Sequence, residues 1–416
     1  MAPHVPFAKG FHAVTLSGSL RPISAGVGNS NDQTRRHNLS TILTMLHHGG
    51  AQTRAQLTRL SGLNRSTIAA LVAELAELGL AYETEPSDSG LVGRPSPIVH
   101  ANEKIAAITI NPDVDAITIG LVGLGGELHK RIRFETASVP SVRETINVVT
   151  AVIAGMRAEL DTQYRVVGVG MAIPGLVNGR DGTVRLAPHL GWQDVQVAEP
   201  FSAALGYPVR IANDAGLATL AESLFGAGRG VQDLVYLNGS ASGIGGGVLV
   251  GGSMLRGAQG YAAELGHTLV NSAGIRCHCG KIGCLETEVN LGRLLAVLGR
   301  EGLGPDELDA VLAGALAPDA RAEVDRQLDV LALAIGNFIS VFNPQVFILG
   351  GSLGALYEAN PERLRAAVAA NAVGTLGEDV RIERAQLRSR LLTVGAAEIV
   401  FAGLLGDPAA ASPLVE

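Results

Sequence analysis

All three cysteines of this 416-residue chain, Cys277, Cys279 and Cys284, fall within eight positions, and His267 stands ten residues before the first of them. Cys277 and Cys279 are too close in sequence for an easy intrachain disulfide. A C-x-C pair with a further thiol five residues on and an imidazole nearby offers four soft ligands, the composition of a closed Cys3His zinc site. Four protein ligands leave no position for water, so such a zinc is structural rather than catalytic. Its binding supplies on the order of 10 kcal/mol of local folding energy to a glycine-rich loop with no core of its own. Buried, unliganded thiols are the plainer alternative.

Two further stretches could do chemistry. In VRIANDAG, residues 209–216, Asn213 and Asp214 follow a β-like run. A carboxylate at a strand end can hydrogen-bond a sugar hydroxyl or accept its proton, and it can equally cap the helix that begins there. In LNGSASGIGGGVLVGGSMLRG, residues 237–257, the glycines let backbone amides approach an anion or a sugar closely; the same density fits a hairpin turn.

The elements that must position these residues divide the chain. From about Lys104, β-branched runs such as IAAITI, RVVGVGMAI and QVFILGG alternate with helical stretches near 142–160 and 321–341. That texture predicts an α/β domain large enough for two lobes. Ahead of it, Leu39, Ile42, Leu43 and Leu46 mark one face of a helix ending at Gly49-Gly50. Thr53 then caps a short helix, RAQLTRL. Asn64 caps a third, whose apolar face is Ile68, Leu71, Val72, Leu75 and Leu78. A short helix, a glycine-containing turn and a longer helix predict a helix-turn-helix, and the extended segments 80–84 and 96–101 give it a wing.

Arg65, Ser66, Thr67 and Ala70 lie off the core face at the start of the third helix, where side chains reach base edges. Arg94 at the base of the wing can enter the minor groove. Arg54, Arg65, Ser66, Thr67 and Arg94 are therefore the candidate DNA contacts. Five arginines, Arg35, Arg36, Arg54, Arg59 and Arg65, occur between positions 35 and 73 without one Asp or Glu. This is a modest basic footprint for phosphate contacts; a solvated helix face has the same composition. Residues 1–31, rich in Gly, Ser, Pro and Asn, read as a mobile tail, 32–100 as the winged helix-turn-helix, and 101–416 as the α/β domain.

With 47% hydrophobic and 17% charged residues the chain can bury large cores, and its net charge of -7 excludes a protein that coats nucleic acid while leaving room for a small DNA-reading module. No apolar run approaches the roughly 18 residues that span a bilayer, and the N-terminus has no signal-peptide order of segments, so the expected location is cytoplasmic, with no membrane partner.

The segments MAIPGLVNGRDGTVRLAPHLGW (171–192), ANDAG (212–216), SGIGGGVLVGG (242–252), AELGH (263–267) and CHCGKIGCLE (277–286), in this order and spacing, resemble the successive signatures of the ROK family of repressors, open reading frames and sugar kinases over about residues 101–404. The first domain resembles the winged helix-turn-helix of the family's repressor branch. What the resemblance implies is a sugar-kinase/actin-like fold of two lobes with a sugar in the cleft, which makes 101–416 the sugar-binding and oligomerisation domain. It implies hexose contacts at Asn213, Asp214, Glu264, His267 and Glu286, with Asp214 in the place of the kinases' catalytic base, and zinc ligands at His267, Cys277, Cys279 and Cys284. His267 thus serves both metal and sugar.

Departures from the family pattern argue against a kinase. Where the kinases carry an Asp-x-Gly-x-Thr phosphate loop, this chain has ITINPDVDA (108–116), with Asn111, Asp113 and Asp115 at the key places. Two carboxylates beside a triphosphate repel it by about 4 kcal/mol per like-charge contact at 4 Å and an effective dielectric near 20, and phosphoryl transfer depends on charge neutralisation. Gly216 and His189 replace asparagines usual in the family. The expectation is a sugar-responsive repressor, with operator DNA and a monosaccharide as partners, acting as a homodimer or a dimer of dimers and binding sugar without phosphorylating it. The alternatives are an ATP-dependent hexose or amino-sugar kinase with an added DNA-binding head, and a zinc-stabilised interaction protein that binds neither.

Overall fold

Capping chemistry sets the first helices. In the computed structural model, which describes residues 31–85, 96–300, 302–303 and 305–411, helices α1 (Asn31–Gly49), α2 (Arg54–Ser61) and α3 (Arg65–Glu77) come first. The Thr53 hydroxyl accepts from the Gln56 amide while the Gln56 side chain accepts from the Thr53 amide, a reciprocal cap for α2. Gly62, at φ 72°, ends that helix in the left-handed region, and Asn64 caps α3 by accepting from the Thr67 amide. Strands β1 (Gln52–Thr53), β2 (Ala81–Thr84) and β3 (Ile98–Ala101) form an antiparallel sheet of order β1-β3-β2. The connection from β2 to β3, which carries Arg94, lies outside the described residues apart from its ends.

The chain separates into two compact units. The head-bearing unit takes in described residues 31–226, 256–264 and 385–411. Its main sheet is a meander of β4 (Ile105–Pro112), β5 (Ala116–Gly123) and β6 (Leu128–Glu135), extended on the β4 side by parallel strands. After α4 (Val142–Gln163) comes β7 (Arg165–Ile173), then a small antiparallel sheet of β8 (Leu176–Asn178), β9 (Thr183–Ala187) and β10 (Trp192–Gln196). Helix α5 (Ala198–Leu205), β11 (Val209–Asn213) and α6 (Asp214–Phe225) complete the run. The five strands lie in the order β11-β7-β4-β5-β6.

The helices of the head do not stand apart from this sheet. Leu39, Leu46 and Ile68 share one buried cluster with Ile105 and Val122 of the sheet and with Ala397 and Phe401 of the helix Leu391–Gly406. That last helix corrects one sequence expectation. The stretch Arg388–Gly406 is apolar and long enough to cross a membrane. The reason is burial: it packs against β4, β7 and α6, and apart from the buried Thr393 and Glu398 its residues from Leu391 to Gly406 are apolar.

The cysteine-bearing unit comprises 227–255 and 265–384. It repeats the plan of the first sheet: a meander of β12 (Leu234–Ser240), β13 (Gly243–Val250) and β14 (Ser253–Met254), then β15 (Val346–Gly350) and β16 (Arg381–Arg384) parallel to β12, in the order β14-β13-β12-β15-β16. The long helix Pro318–Phe342 buries Val324, Leu328, Leu331 and Ile335.

Candidate functional site

The four soft ligands of the cysteine-bearing unit converge. The Sγ atoms of Cys277, Cys279 and Cys284 and a ring nitrogen of His267 all lie within 4.8 Å of one another, so the cluster could hold a metal ion. The His267 Nδ1 is 3.6 Å from the Cys277 sulfur, and the Cys279 and Cys284 sulfurs are 3.6 Å apart. A tight loop makes this possible: Gly283, at φ 73°, has the Asn271 carbonyl where a Cβ would stand, and the Cys277 and Lys281 backbones are hydrogen-bonded.

Glu286 joins the cluster from the short helix Leu285–Glu288, which starts directly after Cys284. It is buried, accepts the Cys277 thiol proton at 2.9 Å and lies 3.4 Å from His267 Nδ1. Burial, then this hydrogen bond, pushes the Cys277 thiol pKa well above its ordinary value. His278, between the first two cysteines, is a neighbour that sequence reasoning did not single out: its Nδ1 is 3.1 Å from the same Glu286 oxygen. Its place inside the C-x-C was the available signal.

The glycine-rich stretch is the β12–β13 hairpin. Its glycines serve packing: a Cβ on Gly243, at φ 124°, would stand 2.4 Å from the Glu286 carboxylate, and one on Gly246 would stand 3.1 Å from the Leu265 side chain. The backbone of β13 is thus bare where Glu286 and the turn at His267 press on it.

Asn213, Asp214 and Glu264 belong to the head-bearing unit. Asn213 ends β11 and caps α6: its Oδ1 accepts from the Gly216 amide at 2.8 Å and its Nδ2 donates to the Gly175 carbonyl at 2.9 Å. Asp214 is the first residue of α6. Burial, and secondarily the charge of Asp113, raise its carboxyl pKa to about 6, against a lowering hydrogen bond from the Ala215 amide. Glu264 is exposed. The segment 111–115 is the end of β4 and the turn into β5, closed by the Asp113 amide donating to the Ala116 carbonyl. Asn111 donates to the Ala172 carbonyl of β7, and Asp115 is held by Arg133 at 2.7 Å. The Asp115 charge is therefore already countered, and Asp113 is the carboxylate felt by Asp214.

On the head, Arg65 and Ser66 are exposed at the N-terminus of α3 and Thr67 is half-buried. The Ser66 hydroxyl donates to Asn64 at 2.7 Å. The basic footprint is smaller than its composition: Arg35 pairs with Asp32 and Glu74, Arg36 with Asp32 and Asp407, and Arg54 with Glu83. Among the described residues Arg59 and Arg65 are the arginines of the five with no ion pair. Arg94 lies outside the described residues.

The sequence pattern of the ROK family matches residues 107–402, and the chain belongs to that family. It is similar to the xylose repressor of Caldicellulosiruptor bescii, 27% identical over 376 residues, which cover 85% of this chain and 93% of that protein. The glucokinase of Thermotoga maritima is 31% identical over 268 residues, covering 60% of this chain and 83% of that protein. A crystal structure of a ROK family transcriptional regulator, a homolog of the Escherichia coli Mlc protein, superimposes with a TM-score of 0.73 at 25% identity, over 90% of this chain and 97% of the other. The fold is accordingly the sugar-kinase-like α/β fold of the ROK family, preceded by a helix-turn-helix.

Proposed function

We propose that this chain is a sugar-responsive, DNA-binding transcriptional repressor that binds a monosaccharide without phosphorylating it. The observation that carries this reading is extent: a named repressor matches 85% of the chain and a named glucokinase 60%, and the excess on the repressor side includes a helix-turn-helix with an exposed Arg65 at the start of α3. Arg54, Arg65, Ser66, Thr67 and Arg94 are the proposed DNA contacts. A homodimer presents two copies of α3 to successive major grooves.

The proposed sugar contacts are Asn213, Asp214, Glu264, His267 and Glu286. A partly protonated Asp214 can donate to or accept from a sugar hydroxyl. The charge of Asp113 beside it disfavours a nucleotide's phosphates, in keeping with a receptor rather than a kinase.

His267, Cys277, Cys279 and Cys284 are the proposed zinc ligands. Tetrahedral zinc, with sulfur at about 2.3 Å and nitrogen at about 2.0 Å, needs S···S near 3.8 Å and S···N near 3.5 Å; both separations of 3.6 Å fit. Bound there, zinc supplies no chemistry beyond fixing the His267 ring and the loop. His267 Nε2 is then left for a hydroxyl.

The test begins with duplexes selected by the protein from a random pool. Their affinity is measured with and without D-xylose, D-glucose and N-acetylglucosamine, in parallel with an ATP-coupled phosphorylation assay on the same sugars. Specific duplex binding weakened by one of these sugars is expected. Turnover above about 1 per second with any of them returns the kinase reading.

A further inference from the structure

We propose that α6 is the rod through which a sugar at Asn213–Asp214 acts on the DNA-reading head, and that its far end acts on a buried latch of His47, His48, Glu398 and Phe225. The inference rests on the reading above and names the path of its regulation. Three observations carry it, all within the head-bearing unit.

The first is what α6 connects. The candidate sugar contacts Asn213 and Asp214 form its N-terminal cap and first residue, and Phe225 is its last. Twelve residues span about 18 Å. Every residue from Leu217 to Leu224 is buried, so the helix has no solvent-exposed flank along which to yield.

The second is how tightly α6 is tied to the Leu391–Gly406 helix. A Cβ on Gly395 would stand 2.4 Å from the Leu217 carbonyl oxygen and 2.8 Å from its carbon, so the two backbones touch. Near the other end the buried Glu222 carboxylate accepts at 2.8 Å from the amide of Leu387, in the turn that leads into that helix. Close-packed elements tied at two points move together rather than slide.

The third is the latch. His47 and His48 lie in the last turn of α1, the helix whose Leu39, Leu43 and Leu46 build the core of the head. The Phe225 ring meets both edge-on, with centroids at 5.6 Å and 5.7 Å. Glu398, 3% exposed, receives His47 Nε2 at 2.8 Å and His48 Nε2 at 3.3 Å. On the opposite side of the His47 ring the Gly125 amide donates to Nδ1 at 2.7 Å.

Two imidazoles and a carboxylate have the composition of a metal site, and their ligating atoms are close enough for one. The Gly125 hydrogen bond decides against it. A backbone N–H can only donate, so Nδ1 holds a lone pair and the proton sits on Nε2, the nitrogen that faces Glu398. That nitrogen has no lone pair for a metal. It donates instead, and the cluster is a hydrogen-bonded joint between the head, the β5–β6 turn and the Leu391–Gly406 helix, with the end of α6 pressed against it.

Phe225→Leu keeps apolar volume and removes the aromatic edge. Its affinity for the selected duplex alone and for the sugar alone is expected to stay within about threefold of wild type, while the factor by which saturating sugar weakens duplex binding falls at least fivefold. A factor within twofold of wild type in the folded variant overturns the proposal. A second measurement needs neither sugar nor DNA. Asp214→Asn is expected to change hydrogen-exchange protection of the Gly125 and His47–Gly49 amides at least threefold, with α4 amides as the unchanged reference. Unaltered protection at Gly125 overturns the rod, whatever the wild-type protein binds. Failure of the wild type to bind any of the sugars or to select a duplex is a separate result and counts against the proposed function alone.

Discussion

Gly243→Ala isolates Glu286 by steric means, without touching its charge. The new methyl would stand 2.4 Å from Glu286 Oε2 and 3.2 Å from its Cδ, and the backbone there is at φ 124°. The conformation alone costs about 1–3 kcal/mol for a non-glycine residue. Glu286 must also swing away, losing its acceptor role toward the Ile244 amide at 3.4 Å. If Glu286 accepts from a sugar hydroxyl, the lost bond to a charged group is worth about 1.5–3 kcal/mol, or roughly 10- to 150-fold in affinity. Gly251→Ala is the control: φ is 56° and nothing lies within 4 Å of the added carbon, so it carries backbone strain without the clash. Titration calorimetry with D-xylose and D-glucose, beside urea unfolding of both variants, separates the two effects. Both variants should lose stability, and Gly243→Ala alone should lose sugar affinity. Sugar binding by Gly243→Ala within threefold of the Gly251→Ala value would refute the assignment of Glu286.

Cys279→Ser should lower bound zinc, read by mass spectrometry of the native protein, from about one per chain to a small fraction, with a lower unfolding temperature; undiminished metal content excludes this ligand set. Arg65→Ala should cost about 1–3 kcal/mol of specific duplex affinity with folding intact. Arg54→Ala should cost less, because its guanidinium is already held by Glu83; equal losses in gel-shift titrations contradict that order. Asp214→Asn tests the raised carboxyl. Burial and Asp113 hold its pKa at about 6 against an ordinary 3.8, so the native state retains a proton that the unfolded chain releases, and wild-type stability falls as pH rises from about 4 to 6. At 1.36 kcal/mol per unit this amounts to about 3 kcal/mol. The variant should therefore gain on wild type across that window in urea unfolding, and a difference flat in pH counts against the raised value.

Local chemistry was legible in the sequence, and distant neutralisation was not. Thr53, Asn64 and Gly62 mark the head because a cap acts within three or four residues, and the clustering of Cys277, Cys279 and Cys284 is likewise local. The basic footprint looked larger than it is because the acids that counter it lie outside the window: Glu83 for Arg54, and for Arg36 an aspartate 371 residues away. The glycines of β13 could be read as an anion cradle because the side chain they admit, Glu286, stands more than 40 residues on. The Leu391–Gly406 helix has the apolar character of a membrane span because α6, β7, β4 and their neighbours bury most of it. His47 and His48 carry no sequence signal of their own; only the fold brings Glu398 and the Gly125 amide to them.

The same reasoning narrows the electrostatic case against a kinase. Two acids at the β4–β5 turn suggest a doubled repulsion, yet Arg133 already pairs with Asp115 at 2.7 Å. Asn111 spends its amide on the Ala172 carbonyl rather than on the turn. What remains is Asp113, the charge that also raises the Asp214 carboxyl. One carboxylate thus does two things on the receptor reading: it disfavours phosphate at the turn, and it adds to the burial that raises the Asp214 carboxyl. A carboxyl raised to about 6 at the head of α6 remains a competent base near neutral pH, so the case against phosphoryl transfer rests on the Asp113 charge and not on Asp214. The Asp214 carboxyl is equally suited to exchanging hydrogen bonds with a hydroxyl, and the helix it begins ends against the histidines of the DNA-reading head.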